Sequence, residues 1–308
     1  MPTVILDCDP GHDDAIALLL ALGSPQLRLL GVTTVSGNQT LEKTTANAIR
    51  VLDHVGRDEV PVAAGTPRPL VRARHTAAEV HGETGLDGPS LPPPSRAPEP
   101  EHAIDWIAKT VAASAEPVTL VATGPLTNVA LLLARYPQLE ADLERIVLMG
   151  GAIGAGNTTP AAEFNIWADP EAASRVFQSG VDLTMVGLDV THQALMTPVH
   201  TERLAAAGKA GKLVADLFSF YAQFHHRHYG WDGAPVHDAV AMAHVLDPTL
   251  LTTKHCGVVV DTGPELSRGR TNADLRSTLG WTPNCHVAVD VDAERFFELL
   301  IARISALG

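Results

Sequence analysis

Short apolar runs of strand length alternate with longer segments of helical period from the first residues onward. Val4-Ile5-Leu6 reads as a buried strand, followed by a turn and a helical run from Asp13 to Leu22. Leu29 to Val35 reads as a second strand, and Leu41 to Val55 as a helix with Thr40 placed to cap it. Further strands are expected at Val60 to Ala64, Val118 to Ala122, Ile146 to Met149, Leu183 to Gly187, Val258 to Asp261 and Val287 to Val291. A helix from Ala293 to Leu307 closes the series. Strands alternating with helices predict an α/β fold: a mostly parallel, twisted, Rossmann-like open sheet with helices on both faces.

Two stretches break the alternation. Thr66 to Pro100 has little periodicity and many prolines, ending in Pro92-Pro93-Pro94 and Pro98-Glu99-Pro100. Because the strand–helix pattern resumes after it, it reads as a loop inserted over the sheet edge, not as a domain boundary. Thr197 to Gly233 is mainly helical and predicts a small helical subdomain beside the site. The expectation is one domain over 1–308, with an inserted loop at about 66–100 and a helical segment at about 197–233. No internal repeat is visible.

Composition narrows the partners. The net charge of −13 repels phosphate backbones and argues against a nucleic-acid ligand. The longest apolar run, Ala15 to Leu22, is too short to span a bilayer. Cys8, Cys256 and Cys285 are odd in number and far apart in sequence, which fits reduced thiols in a cytoplasmic protein better than disulfides or a zinc site. The first strand begins almost at the first residue, which leaves a secretory leader unexpected.

The candidate chemistry is concentrated in Asp7-Cys8-Asp9-Pro10-Gly11-His12-Asp13-Asp14, at the end of the first strand and the start of the first helix. In open α/β sheets that position faces the ligand crevice. Four aspartates so close repel one another unless a cation or proton compensates. A helix N-terminus offsets only about 0.3–1 kcal/mol per exposed carboxylate. A hard divalent cation resolves the conflict, since Ca²⁺ takes about 6–8 oxygen ligands in irregular geometry. An EF-hand is excluded because Gly11 stands one position early and no glutamate closes the loop. The plainer alternative has Asp13 capping the helix and Asp7 satisfying turn amides.

Three further segments add polar groups. Pro235-Val236-His237-Asp238 leads into a helix. Met149-Gly150-Gly151 runs through a glycine-rich loop to Asn157 and on to Glu163-Phe164-Asn165, a set suited to hydroxyl recognition. Thr123-Gly124-Pro125-Leu126-Thr127-Asn128 turns from a strand into a helix toward the same side as the aspartates. No phosphate-cradling Gly-Lys-Ser/Thr or GxGxxG occurs at these turns.

Together these segments resemble the nucleoside hydrolase family of inosine–uridine-preferring N-ribohydrolases, particularly its pyrimidine-preferring members. The motifs are DCDPGHDDAIAL at 7–18, VSGNQT at 35–40, HGETGLDG at 81–88, TGPLTN at 123–128, MGG at 149–151, AEFNIWADPEAA at 162–173 and PVHDA at 235–239. They follow the family order across nearly the whole chain. The resemblance implies Ca²⁺ held by Asp9, Asp14, Asp238 and the backbone carbonyl of Thr123. It implies Asp13 as the base that takes a proton from the attacking water, and His237 as acid or stabiliser at the leaving base. Asn38, Asn157, Glu163 and Asn165 would bind ribose hydroxyls, with Met149 and Phe164 packed near the sugar. His81, His225 and Tyr229 would reach the base; the alternative for all three is a solvated helix face with a buried Tyr. The resemblance also implies a free nucleoside as substrate and a homotetramer or dimer.

Two other readings compete. Asp7-Cys8-Asp9 after a strand also occurs in haloacid-dehalogenase-like phosphatases, but Asp13-Asp14 stands where a small hydroxylated residue is expected, and no downstream Lys and acidic pair is evident. A non-catalytic nucleoside sensor would be expected to lack part of the polar set, and here every role is filled.

Overall fold

The computed structural model describes residues 1–263 and 266–308. Its strands, in chain order, begin with β1 (Thr3–Cys8), β2 (Arg28–Thr34), β3 (Val62–Ala64), β4 (Val118–Ala122), β5 (Leu143–Met149) and β6 (Leu183–Val186). The short strands β7 (Leu195–Met196) and β8 (Ala234–Pro235) pair with each other. They are followed by β9 (Leu251–Cys256), the ribbon of β10 (Val258–Val260) and β11 (Thr271–Ala273), and β12 (Cys285–Val291). The main sheet has the order β3-β2-β1-β4-β5-β6-β12-β9 and is parallel except for the edge strand β9.

The near-continuous apolar runs follow from burial on both faces. Along β1, Val4, Leu6 and Cys8 enter one core, shared with the helices His12–Leu22, Gly208–Tyr229 and His237–Leu246. Ile5 enters the other, shared with the helices Ala103–Ala113, Thr127–Arg135 and Pro170–Phe177. The chain winds outward from β1 through β2 to β3, then returns to β4 on the opposite side of β1. Crossovers therefore reverse direction between β1 and β4, and the crevice beyond their carboxyl ends is where open α/β sheets bind ligands.

The α/β fold, the mostly parallel sheet and the helices on both faces agree with the expectation. Two details differ. Val258 to Asp261 does not join the main sheet; its first three residues form β10, paired with β11. The edge position is taken by Leu251–Cys256, whose Thr252, Thr253, Lys254 and His255 hide any strand alternation because one face of an antiparallel edge strand meets water. Thr40 stands at the N-cap of the helix Leu41–His54, but its side chain makes no capping bond. Cys256 and Cys285, distant in sequence, are cross-strand neighbours and remain free thiols. Among the described residues no helix is long and apolar enough to cross a membrane.

The two stretches that lack the alternation both lie against the crevice. Residues 75–81 of the inserted loop, with the short helix Ala78–His81, form one wall. The helix Gly208–Tyr229 forms another, with Leu213, Leu217 and Tyr221 in the core and Phe224, His225 and Tyr229 at the cavity.

Candidate active site

The floor of the crevice is carboxylate. Asp9 follows β1 directly, and the Pro10-Gly11 turn places Asp13 and Asp14 in the first turn of the helix His12–Leu22. Asp238 comes from the first turn of the helix His237–Leu246, which packs in the same core. Both helices aim their positive ends at the cluster. Oxygens of Asp13, Asp14 and Asp238 lie within 4.8 Å of one another, and all three residues are buried. Burial pushes the Asp13 carboxyl up to about 8, with the neighbouring Asp14 adding to the rise. Burial likewise raises Asp9, Asp14 and Asp238, and repulsion from neighbouring aspartates adds to it for Asp9 and Asp238.

The protein neutralises this charge only in part. Asp14 is well supplied: Oδ1 accepts from Thr123 Oγ1 (2.8 Å) and the Asp9 backbone N–H (3.3 Å), and Oδ2 from Asn38 Nδ2 and the Gly11 N–H (both 3.0 Å). Asp9 Oδ2 accepts from the Asn38 N–H, but the buried Oδ1 has no partner. A Cβ at Gly37 would stand 2.0 Å from Asp9 Oδ2, and one at Gly124 2.6 Å from Oδ1, so both glycines allow the backbone to close around this carboxylate. An orphaned buried oxygen beside three clustered carboxylates, with no Lys or Arg lining the cavity among the described residues, fits a hard divalent cation. The Thr123 carbonyl accepts from Asn165 Nδ2 (2.7 Å) and keeps a second lone pair for a ligand.

Above the floor is a cavity of about 260 Å³. Asp13, Asp238, Asn38, Thr123, Met149, Asn157, Glu163, Phe164, Asn165, His81, His225, Tyr229 and His237 all line it; Asp9 and Asp14 lie beneath. Glu163 also caps the helix Phe164–Ala168. Its Oε1 accepts from the Asn165 N–H (2.8 Å), and Oε2 from the Gly151 (2.9 Å) and Ile166 (3.2 Å) N–H groups. These bonds fix the carboxylate while burial raises it to about 7. Asn157 is exposed at the mouth, and its Oδ1 accepts from the Phe164 N–H (3.0 Å).

Histidines and aromatic rings form the opposite wall. His237 Nδ1 lies 2.7 Å from Thr191 Oγ1, and burial holds the ring neutral, well below the usual histidine range. His225 is lowered to about 4 by burial. Tyr229 remains 42 % exposed and stacks on Trp231 at 4.6 Å, so it borders the cavity while facing solvent. His75, Glu79, Trp167 and His192 also line the cavity and were not anticipated. His75 and Glu79 sit in the aperiodic loop, where no pattern marks them. His192 follows the short helix after β6, and the strand-end rule could have found it. Asp7, by contrast, does not line the cavity. Its Oδ1 accepts from Thr33 Oγ1 (2.6 Å) and Asn128 Nδ2 (2.8 Å), tying β1 to β2 and to the helix Thr127–Arg135.

Comparison with known proteins agrees with this architecture. The chain is 50% identical over 304 residues to the pyrimidine-specific ribonucleoside hydrolase RihA of Citrobacter koseri, covering 98% of this chain and 97% of that protein. It is 51% identical over 300 residues to RihA of a Shewanella species, covering 97% and 94%. Among solved structures, the purine-preferring ribonucleoside hydrolase from Gardnerella vaginalis superposes with a TM-score of 0.93 at 37% identity, covering 99% of this chain and 98% of that one. The family model of inosine-uridine preferring nucleoside hydrolases matches residues 4–298. This chain therefore belongs to the inosine-uridine preferring nucleoside hydrolase family.

Proposed function

We propose that this enzyme hydrolyses the N-ribosidic bond of free pyrimidine ribonucleosides, with Ca²⁺ held by Asp9, Asp14, Asp238 and the Thr123 carbonyl. The observation that carries this reading is the buried carboxylate cluster at the floor of a cavity lined by amides on one side and by neutral histidines on the other. When bound, the cation supplies the positive charge that keeps the carboxylates ionised and polarises its oxygen ligands.

This chain's residues do the remainder. Asn38, Asn157, Glu163 and Asn165 hold ribose hydroxyls. Asp13 takes a proton from the water whose oxygen bonds to the anomeric carbon. As the bond to the base breaks, its electron pair leaves with the base and positive charge grows on the ribose. The surrounding carboxylates stabilise that charge where it forms. His237, neutral through burial, donates a hydrogen bond to the departing base and offsets its negative charge. The pyrimidine preference rests on likeness to the RihA proteins.

The test is release of ribose from uridine, cytidine and inosine, with and without a chelator. Release that the chelator abolishes and Ca²⁺ restores is expected, with kcat/KM for a pyrimidine at least tenfold above inosine. Reversal of that ratio would overturn the preference, and release unaffected by chelation would overturn the metal assignment. The cavity also predicts discrimination against charge. A 5′-phosphate would meet Asp13, Glu163 and Asp238 with no Lys or Arg lining the cavity among the described residues. Like-charge juxtaposition costs several kcal/mol, so kcat/KM for uridine 5′-monophosphate should fall at least about 100-fold below uridine.

A further inference from the structure

His12 lines no part of the cavity, and the steps above give it no role. Its ring is fully buried and stacks on His81, Phe220 and Tyr221 at 5.3, 5.5 and 5.5 Å. Both ring nitrogens are engaged. Nε2 lies 2.8 Å from the Asp87 carbonyl oxygen, and Nδ1 lies 3.0 Å from Nδ1 of His81. A carbonyl only accepts, so His12 Nε2 carries a hydrogen and donates it. A neutral imidazole has one N–H, which leaves a lone pair on His12 Nδ1. Two lone pairs facing each other at 3.0 Å in a buried site would repel, so the hydrogen between the rings belongs to His81 Nδ1. Both rings are buried and, among the described residues, neither hydrogen-bonds to a carboxylate, so both are neutral. The His12 backbone N–H approaches the same His81 atom at a longer 3.3 Å and would favour the opposite tautomer.

We propose that His12 is a positioning residue that holds His81 in the Nδ1–H tautomer. The nitrogen His81 leaves free, Nε2, is then a bare acceptor for a hydrogen-bond donor of the substrate. The inference rests on the reading of this cavity as a nucleoside site. His237 is arranged differently. Its Nδ1 meets a threonine hydroxyl, which can donate or accept, so no tautomer is imposed and its Nε2 is free to donate. The cavity thus has one histidine fixed as an acceptor beside another able to donate. The donor that His81 receives is an N–H of the base or the 5′-hydroxyl of the ribose.

Nitrogen NMR of the ¹⁵N-histidine-labelled, Ca²⁺-supplemented protein tests this, with His81 assigned from the signals lost in His81→Gln. The expected wild-type signature is a protonated Nδ1 and an unprotonated Nε2. His12→Phe keeps a stacking ring but removes the acceptor. His81 should then shift to the Nε2–H form, and kcat/KM for uridine should fall about tenfold, the worth of one hydrogen bond. His12→Asn returns an acceptor oxygen near the Nδ1 position and should restore both the tautomer and most of the rate. The loss should vanish for 3-methyluridine if the base N–H is the donor, or for 5′-deoxyuridine if the 5′-hydroxyl is. A wild-type Nε2–H signature, an unchanged tautomer in His12→Phe, or the same loss with both analogues would overturn the proposal. The expected tautomer in a protein that cleaves no nucleoside would instead overturn the hydrolase reading and the substrate role, leaving the ring arrangement standing.

Discussion

Asp13→Asn is expected to lower kcat for uridine by about 10³-fold while leaving the fold and the binding of Ca²⁺ in place. A positioned general base contributes about 10²–10⁴-fold to a hydrolysis of this kind. The amide has the shape of the carboxylate but cannot take a proton. Asp13 stands outside the proposed ligand set although its oxygens lie within 4.8 Å of those of Asp14 and Asp238, so measuring Ca²⁺ affinity beside turnover separates proton transfer from metal binding. Steady-state rates measured alongside calorimetric Ca²⁺ titration check both halves. A variant that keeps wild-type turnover would remove Asp13 from the mechanism, whatever the metal affinity. A non-catalytic nucleoside sensor would show no turnover to lose.

Metal-free protein should become less stable as pH rises from about 7 to 8, and saturating Ca²⁺ should reduce that slope. Asp13 is raised to about 8 and Glu163 to about 7 by burial, and Asp9, Asp14 and Asp238 are raised as well. Each folded-state value lies above the unfolded one. The stability linked to these groups is therefore full below the ordinary carboxylate range and is lost as pH climbs through the folded values. Buried histidines oppose this trend at lower pH. His12 and His225, both lowered to about 4, favour the folded state less as pH falls below their ordinary value of 6.5. From about pH 7 upward they are largely neutral in both states and the carboxylates dominate. Bound cation replaces the protons, so Ca²⁺ at a hundredfold excess over Kd should add about 2.7 kcal/mol, or about 5 °C in Tm for a chain of this size. Scanning calorimetry across that pH range, with chelator and with Ca²⁺, reads the effect. A metal-free Tm that rises with pH there would show that the cluster ionises without a cation.

Much of this protein is legible locally. The apolar run Val4-Ile5-Leu6 predicts β1 because a strand buried on both faces must be apolar at every position. The aspartates that follow predict a cation because no local group compensates so many like charges. The edge strand β9 escapes because its four middle residues are exposed or half-buried and its polar sequence resembles a loop. His75 and Glu79 escape because an aperiodic loop carries no signal of what it covers.

The sequence by itself determined the strand–helix alternation, the acidic turn after β1 and the family motifs, since each depends on residues close together in the chain. Only the tertiary structure decided that β4 returns beside β1, so that Thr123 and Asp14 meet, and that Asp238 completes a cluster begun at the other end of the chain. The same holds for the contact of His12 with His81 and the Asp87 carbonyl. Periodicity reports whether a residue is buried. Which distant residue it is buried against depends on strand order and helix packing, and that pairing is what sets the charge, tautomer and reach of the groups in the site.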